Sequence, residues 1–282
     1  MDYRYSLKKG GKKLTCPSCG RKGEFVPYID NVTKEIVNAE KYGRCERVNS
    51  CGYNERPKSK EKPDIWKPIQ KKVVIEKPIE FIPQSVVEAT FNEFRSNVFF
   101  MYLVKTFGRE VAFELQAKYN IGTATHGGTI FWQQDNEMKF RTGKVMYYQQ
   151  NGKRDKSRMS WFVHSKIRPD FNYRQCLFGL HLVDGTKPVA LCESEKTAIL
   201  MSVYKSEYTW VACGGSEMIK EPKRLAELKR LDKVFHDNGQ FEKWEQQTKT
   251  FSRQMDVSVD KAVANGILPA GSDILDLIQL NL

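Results

Sequence analysis

Two sets of residues have the types and spacing to do chemistry. Four cysteines come in two pairs: Cys16-Pro17-Ser18-Cys19, closed by Gly20, and Cys45 with Cys51, closed by Gly52. Gaps of two, 25 and five residues separate the four. Thiolates on two such knuckles can close a tetrahedron around one Zn²⁺. A small polar segment seldom buries four thiols without metal. Four free buried cysteines are the alternative. The second set is acidic. Glu193 ends the apolar run 188–192, and Asp237 ends the run 232–236. Carboxylates at the tips of neighbouring parallel strands converge on one sheet edge, where oxygen ligands can hold a hard divalent cation such as Mg²⁺ or Mn²⁺. Asp273 and Asp276 are two further acids near the C-terminus. Asp273, after Gly271-Ser272, is either part of the same acidic segment or a plain helix cap.

These acids need strands and helices to hold them. The run 188–200 passes from five apolar residues through Glu193 into a helical pattern, a buried strand feeding a helix. Two further strands are predicted over 208–213 and 232–236. Lys196 sits beside the acids, either to meet a phosphate or to face solvent. Glu195 and Asp232 are further acids that could supplement the set, although Glu195 falls in a first helical turn, where it can simply answer the helix dipole.

Upstream, the four cysteines frame an alternating strand over 23–30. Residues 58–84 read as a linker, with prolines at 63, 68, 78 and 83 among alternating Lys and Glu. Segments of that kind extend rather than pack. Helical patterns over 97–104 and 110–115 are separated by Gly108, and strands are predicted over 129–133, 138–141 and 144–148. His126, before Gly127-Gly128, reads as an incidental loop histidine.

Net charge is +12 over 282 residues, and its distribution is uneven. Residues 1–80 hold 19 Lys/Arg against 11 Asp/Glu, and residues 139–174 hold ten against two, leaving the remainder acidic. Two basic patches on an acidic background fit a polyanion partner. In the second patch Lys139, Arg141, Lys144, Arg154, Lys156 and Arg158 are interleaved with Phe140, Tyr147, Tyr148, Trp161 and Phe162. Cations for phosphates and rings for bases suit single-stranded DNA. Strand alternation would send about half of the rings inward, so Tyr147 and Trp161 either stack or pack. Arg21, Lys22, Arg44 and Arg47 surround the knuckles, so the zinc ribbon either reads DNA or only folds its own module.

No apolar run approaches the roughly 18 residues of a membrane span, and the N-terminal residues lack the apolar stretch of a secretion signal. A cytoplasmic, non-membrane protein is expected, and the cysteine clustering favours a metal site over disulfides. A Gly-rich Lys-Ser/Thr loop is missing, so any unwinding would fall to a separate helicase.

The stretch from 188 resembles a Toprim domain, the metal-binding fold of primases, topoisomerases and related nucleases. In that family a Glu ends one strand and an Asp-x-Asp ends a later one. Here Glu193 and Asp237 match, the second Asp is replaced by Gly239, and residues 273–278 resemble the late acidic segment of Toprim primases, which makes Asp276 the candidate third acid. Leu177-Phe178-Gly179 resembles the segment before the Toprim Glu in primases of the phage primase-helicase and Twinkle type. Tyr42 to Cys45, Arg141 to Lys144, Trp161 to His164, Gln175 to Gly179, Glu193 to Ala198 and Phe241 to Trp244 resemble motifs of a zinc-ribbon plus Toprim-like family in Bacteroides-type bacteria and their mobile elements. In the phage-type primases a matching basic segment carries cations towards template and nucleotide, which is where the resemblance sets Arg141 and Lys144.

The resulting expectation is a small N-terminal zinc β-ribbon (1–57), a linker (58–84), a basic α+β subdomain (85–185) and an α/β Toprim-like core (186–282). The resemblance implies a primase-like activity on single-stranded DNA with nucleotides and Mg²⁺ or Mn²⁺, working beside a helicase or mobilisation protein. A non-catalytic DNA-binding accessory in excision, transfer or replication initiation, or a Toprim nuclease, is the alternative. Synthesis on two metals about 4 Å apart normally draws on more carboxylates than Glu193 and Asp237.

Overall fold

A computed structural model describes residues 3–48, 50–57, 78–168, 170–220 and 225–281. The chain divides into two compact units, one N-terminal and one from Glu76 onward. The part of the expected linker at 58–77 lies outside the described residues.

The first unit is a four-stranded antiparallel ribbon in the order β1 (Tyr5–Leu7), β2 (Phe25–Asp30), β3 (Gly43–Cys45) and β4 (Asn54–Glu55). Its core is minimal: Cys16, Phe25 and Cys45 are buried, with Leu14, Cys19, Cys51 and Tyr53 packed around them. Each knuckle is tied by backbone bonds, Gly20 N–H to Cys16 O at 2.9 Å in one and Cys51 N–H to Arg47 O at 2.8 Å in the other. Both turn through a left-handed glycine, Gly20 at φ +69° and Gly52 at φ +67°, a conformation glycine adopts without a Cβ penalty.

The second unit begins ahead of the predicted boundary at 85. Ile82 is buried and pairs with Phe140, and Glu80 N–H donates to Asn172 O at 2.9 Å. Ile82 joins Ile130, Trp132 and Val145 in a small core, so its apolar side chain draws the end of the proline-rich stretch into the fold. Helix α1 (Gln84–Glu88) follows, then α2 (Val98–Phe107) and α3 (Arg109–Tyr119), broken at Gly108 as the pattern predicts. Asn97 caps α2 by accepting from Phe100 N–H.

A second antiparallel sheet runs β5 (Ile121–Ala124), β6 (Gly128–Gln134), β7 (Phe140–Met146) and β8 (Trp161–Phe162). The two strands predicted over 138–141 and 144–148 are one strand, since β7 continues through Gly143 opposite Trp132. Helix α4 (His164–Ile167) is a single turn. Phe178 then bonds both ways with Ala212, placing the Leu177-Phe178-Gly179 segment on the edge of the third sheet.

That sheet is wholly parallel, in the order β10 (Thr209–Ala212), β9 (Val189–Cys192), β11 (Lys233–Phe235) and β12 (Gln254–Met255). Strands β9 and β10 are buried throughout, as continuous apolar runs in parallel sheets should be. Helices α5 (Glu195–Tyr204), α6 (Phe241–Thr248), α7 (Ser258–Ala264) and α8 (Ile274–Leu280) complete the unit. One core joins Phe99, Leu103 and Phe131 to Ile199, Leu200 and Trp210, so the antiparallel and parallel sheets share a single interior. No helix among the described residues is long and apolar enough to cross a membrane.

The ribbon yields a direct test. A Cβ on Gly43 would collide with the Phe25 ring and come within 2.6 Å of the Val26 carbonyl. Gly43→Ala should therefore cost about 1–3 kcal/mol of ribbon stability. It should release zinc to a chelator faster than wild type, followed by a colorimetric zinc indicator.

Candidate metal centre and acidic cleft

The sulfurs of Cys16, Cys19, Cys45 and Cys51 lie within 4.8 Å of one another. Among the described residues this is the one group of three or more potential metal ligands gathered so tightly. The thiols differ in environment. The backbone N–H of Arg21 pulls Cys19 down to about 6, whereas burial pushes Cys45 up to about 12. A metal resolves that conflict, because binding replaces the proton and stabilises all four sulfurs as thiolates. The donor set is the soft tetrahedral one that Zn²⁺ prefers. Cys176, Cys192 and Cys213 are buried in the second unit, apart from the quartet.

Strand register brings Glu193 and Asp237 to the same edge. Phe235 is level with Cys192 on adjacent parallel strands, so Glu193 and Asp237 leave the carboxyl ends of β9 and β11 side by side. Burial raises the pKa of Glu193, opposed by the Ser216 N–H and by Lys243 and Lys144. Asp237 is pushed up to about 8, by burial first and then by the charges of Glu193, Asp273 and Asp276. The four carboxylates therefore feel one another, although they are not drawn together as closely as the thiols.

Asp273 is the helix cap that its position after Gly-Ser allows. Its Oδ1 accepts from Asp276 N–H at 3.0 Å, and Asp276 Oδ2 accepts from Asp273 N–H at 3.0 Å, a reciprocal cap on α8. It is also part of the acidic site. Asp237, Asp273 and Asp276 line an open cleft of about 670 Å³ together with Lys153, Arg154, Lys156 and Lys196. Thr197 Oγ1 donates to Asp273 Oδ2 at 2.6 Å and stands 2.8 Å from Ser194 Oγ, linking the start of α5 to the start of α8. Lys196 is half-buried and donates to Gly152 O at 2.9 Å, with burial lowering its pKa. Sequence reading left Lys196 open between phosphate and solvent, counted Lys153 only among the ten cations of residues 139–174, and gave Thr197 no role. The first-turn position of Thr197 was the available signal.

The remaining acids take other places. Asp232 precedes β11 at the amino end of the sheet and accepts from Val189 N–H at 2.8 Å, so it cannot join Glu193 at the carboxyl edge. Glu195 is fully buried, and the Lys144 ammonium lies 3.0 Å from its Oε1 and 3.1 Å from its Oε2. Only the Oε2 contact has hydrogen-bond geometry. Lys144 also donates to Gly214 O at 2.7 Å.

That contact narrows the predicted DNA surface. Lys144 is occupied inside the fold. Arg141 is also mostly buried, 2.5 Å from Asp135 and 3.4 Å from Glu227. Arg158 stacks 3.4 Å over the Tyr147 ring and donates to His126 O. Lys139 pairs on the surface with Glu137 at 2.7 Å. Arg154 and Lys156 open onto the acidic cleft. Tyr147 is buried and Trp161 packs against the same core, so these two rings pack. The linear spacing of cations could not separate those that neutralise buried acids from those that face outward.

Two outcomes follow. Lys144→Met should leave the buried Glu195 carboxylate without its counter-charge and destabilise the protein by about 3–5 kcal/mol in urea unfolding. Lys144→Met with Glu195→Gln should recover much of that loss. The raised pKa of Asp237 works in the opposite sense to a salt-bridged carboxylate. The folded state keeps the proton that the unfolded chain loses near pH 4, so the stability tied to it falls as pH rises from about 4 to about 8. Without divalent cation, Asp237→Asn should flatten the decline in Tm between pH 5 and 8 and be the more stable protein at pH 8.

Residues 97–235 match a family model described as a domain of unknown function, DUF6371. Residues 3–64 match the zinc beta-ribbon finger family. No curated protein matches the chain. Among solved structures, the primase fragment of the bacteriophage T7 primase-helicase protein is 15% identical with a TM-score of 0.38, covering 91% of this chain and 95% of that one. The zinc-binding and RNA polymerase domains of the Aquifex aeolicus primase are 10% identical with a TM-score of 0.37, covering 67% and 61%. A DNA primase domain from Pseudomonas aeruginosa is 12% identical with a TM-score of 0.34, covering 63% and 58%. The chain thus carries one segment that matches the zinc beta-ribbon finger model and one that matches the DUF6371 model.

Proposed function

We propose that this protein is a primase-like, DNA-binding enzyme that joins nucleotides on a single-stranded DNA template with Mg²⁺ or Mn²⁺, in the service of a mobile element or phage-like replicon. The observation that carries the reading is the cleft in which Asp237, Asp273 and Asp276 share walls with Lys153, Arg154, Lys156 and Lys196. Oxygen-only ligands suit a hard cation. A carboxylate such as Asp237, kept protonated near neutrality by burial first and then by its acidic neighbours, is one that a cation would relieve. Glu193 and Asp237 would hold the cation, with Asp276 within its field. A bound cation would supply positive charge to a phosphate undergoing displacement.

The protein's own groups do the rest. Lys153, Arg154, Lys156 and Lys196 bring cations to the carboxylates' cleft, as phosphates entering an acidic site require. The starts of α5 and α8 meet at the Thr197–Asp273 bond, which fixes the cleft's acids beside Lys196. The Leu177-Phe178-Gly179 segment, the Glu193 position and the zinc ribbon are the features that resemble phage-type primases.

A second reading rests on Gly239. It sits at φ +80°, where Asp is tolerated at some cost, and it leaves the Asp-x-Asp pattern one carboxylate short. A non-catalytic DNA-binding accessory of a mobile element fits that loss. Primer synthesis on single-stranded DNA with labelled nucleotides separates the two. The enzyme reading expects product that requires Mg²⁺ or Mn²⁺ and falls at least about 100-fold in Glu193→Gln and Asp237→Asn. Firm DNA binding with no product in any metal would leave the accessory.

A further inference from the structure

Asp237 leaves β11 in the short exit His236-Asp237-Asn238-Gly239, while Asp273 and Asp276 open α8. Asn238 is the residue that joins the two segments. Its backbone N–H donates to Ser272 O at 2.9 Å, and its side-chain oxygen accepts from Gly271 N–H at 3.2 Å. Its Nδ2 donates to Asp260 Oδ1 at 2.7 Å, and that oxygen also takes the Gly239 N–H at 3.3 Å. Asp260 lies in the first turn of α7, and its Oδ2 stands 3.5 Å from Nε2 of the buried His236. Asp260 is not part of the cleft lining.

We infer that Asn238, braced by Asp260, is the positioning residue that holds Asp237 against Asp273 and Asp276. The inference rests on reading this cleft as a divalent-cation site. The chemistry of the amide is what the place demands. Asn238 offers an acceptor to the Gly271 segment and a donor to a carboxylate, and a bond to a charged acceptor is stronger than a neutral one. An Asp at 238 keeps the acceptor, loses the donor and sets a second negative charge against Asp260. An Ala loses both. Gly239, beside it, lets the chain turn through φ +80° so that its own N–H reaches Asp260. The position that lacks a carboxylate thus helps orient the one before it.

The test compares wild type with Asn238→Ala, Asn238→Asp and the swapped pair Asn238→Asp with Asp260→Asn, all as full-length, zinc-loaded protein. One readout is amide hydrogen exchange at Gly271 without divalent cation, and the other is Mn²⁺ affinity by calorimetry. Both single variants should exchange Gly271 about tenfold faster or more and bind Mn²⁺ about tenfold more weakly. The swapped pair restores a donor facing an acceptor and should recover most of both losses, which a general loss of stability would not do. Unchanged Gly271 exchange and Mn²⁺ affinity in Asn238→Ala, or a swapped pair no better than Asn238→Asp, would overturn the inference. If wild type binds no Mn²⁺ while exchange follows the expected order, the Asn238 link stands and the divalent-cation reading falls.

Discussion

Repulsion among carboxylates that are partly withdrawn from water is what the second unit must contain. Glu193, Asp237, Asp273 and Asp276 come from the ends of two strands and the start of one helix, and burial first, then the charges of the other three, pushes the Asp237 carboxyl up to about 8. Left alone, such a cluster would push its segments apart. It is held by short polar links, Thr197 to Asp273 and Asn238 to the 271–272 segment, and by a parallel sheet buried on both faces.

The basic residues divide according to the same electrostatics. Lys144 and Arg141 face inward and neutralise Glu195, Asp135 and Glu227, stitching β7 to the start of α5 and to the segment before β11. A buried pair of this kind contributes little net stability, but losing one partner is costly. Lys153, Arg154, Lys156 and Lys196 instead share the cleft with the acids. The count of positive charges in residues 139–174 thus overstates what is free to meet a polyanion.

The ribbon follows a different logic. Its apolar core is little more than Phe25 and the half-buried Tyr53 beside the buried Cys16 and Cys45, too little to order the segment by burial alone. Four thiols within 4.8 Å supply the missing cohesion once metal replaces their protons.

Much of this was legible in the residues themselves. Cysteine spacing is local chemistry, so the quartet could be named from sequence. Continuous apolar runs ending in an acid identified β9 and β11, because buried parallel strands leave few other patterns. The alternating and charged stretches were less informative. Whether Lys144 meets a phosphate or Glu195, whether Tyr147 stacks on a base or packs on Trp161, and whether Asp273 only caps a helix all depend on partners far away in the chain. Ile82 was assigned to a linker because prolines around it outweighed one apolar side chain, and only the neighbouring Phe140 and Trp132 show where it goes. Asn238 carried no sequence signal at all, since an Asn before Gly reads as an ordinary turn. Local composition determined the ligand types and the strands that carry them. The pairing of charges and the closing of the cleft were decided by the tertiary fold, because Coulomb forces act on distance in space and not on distance along the chain.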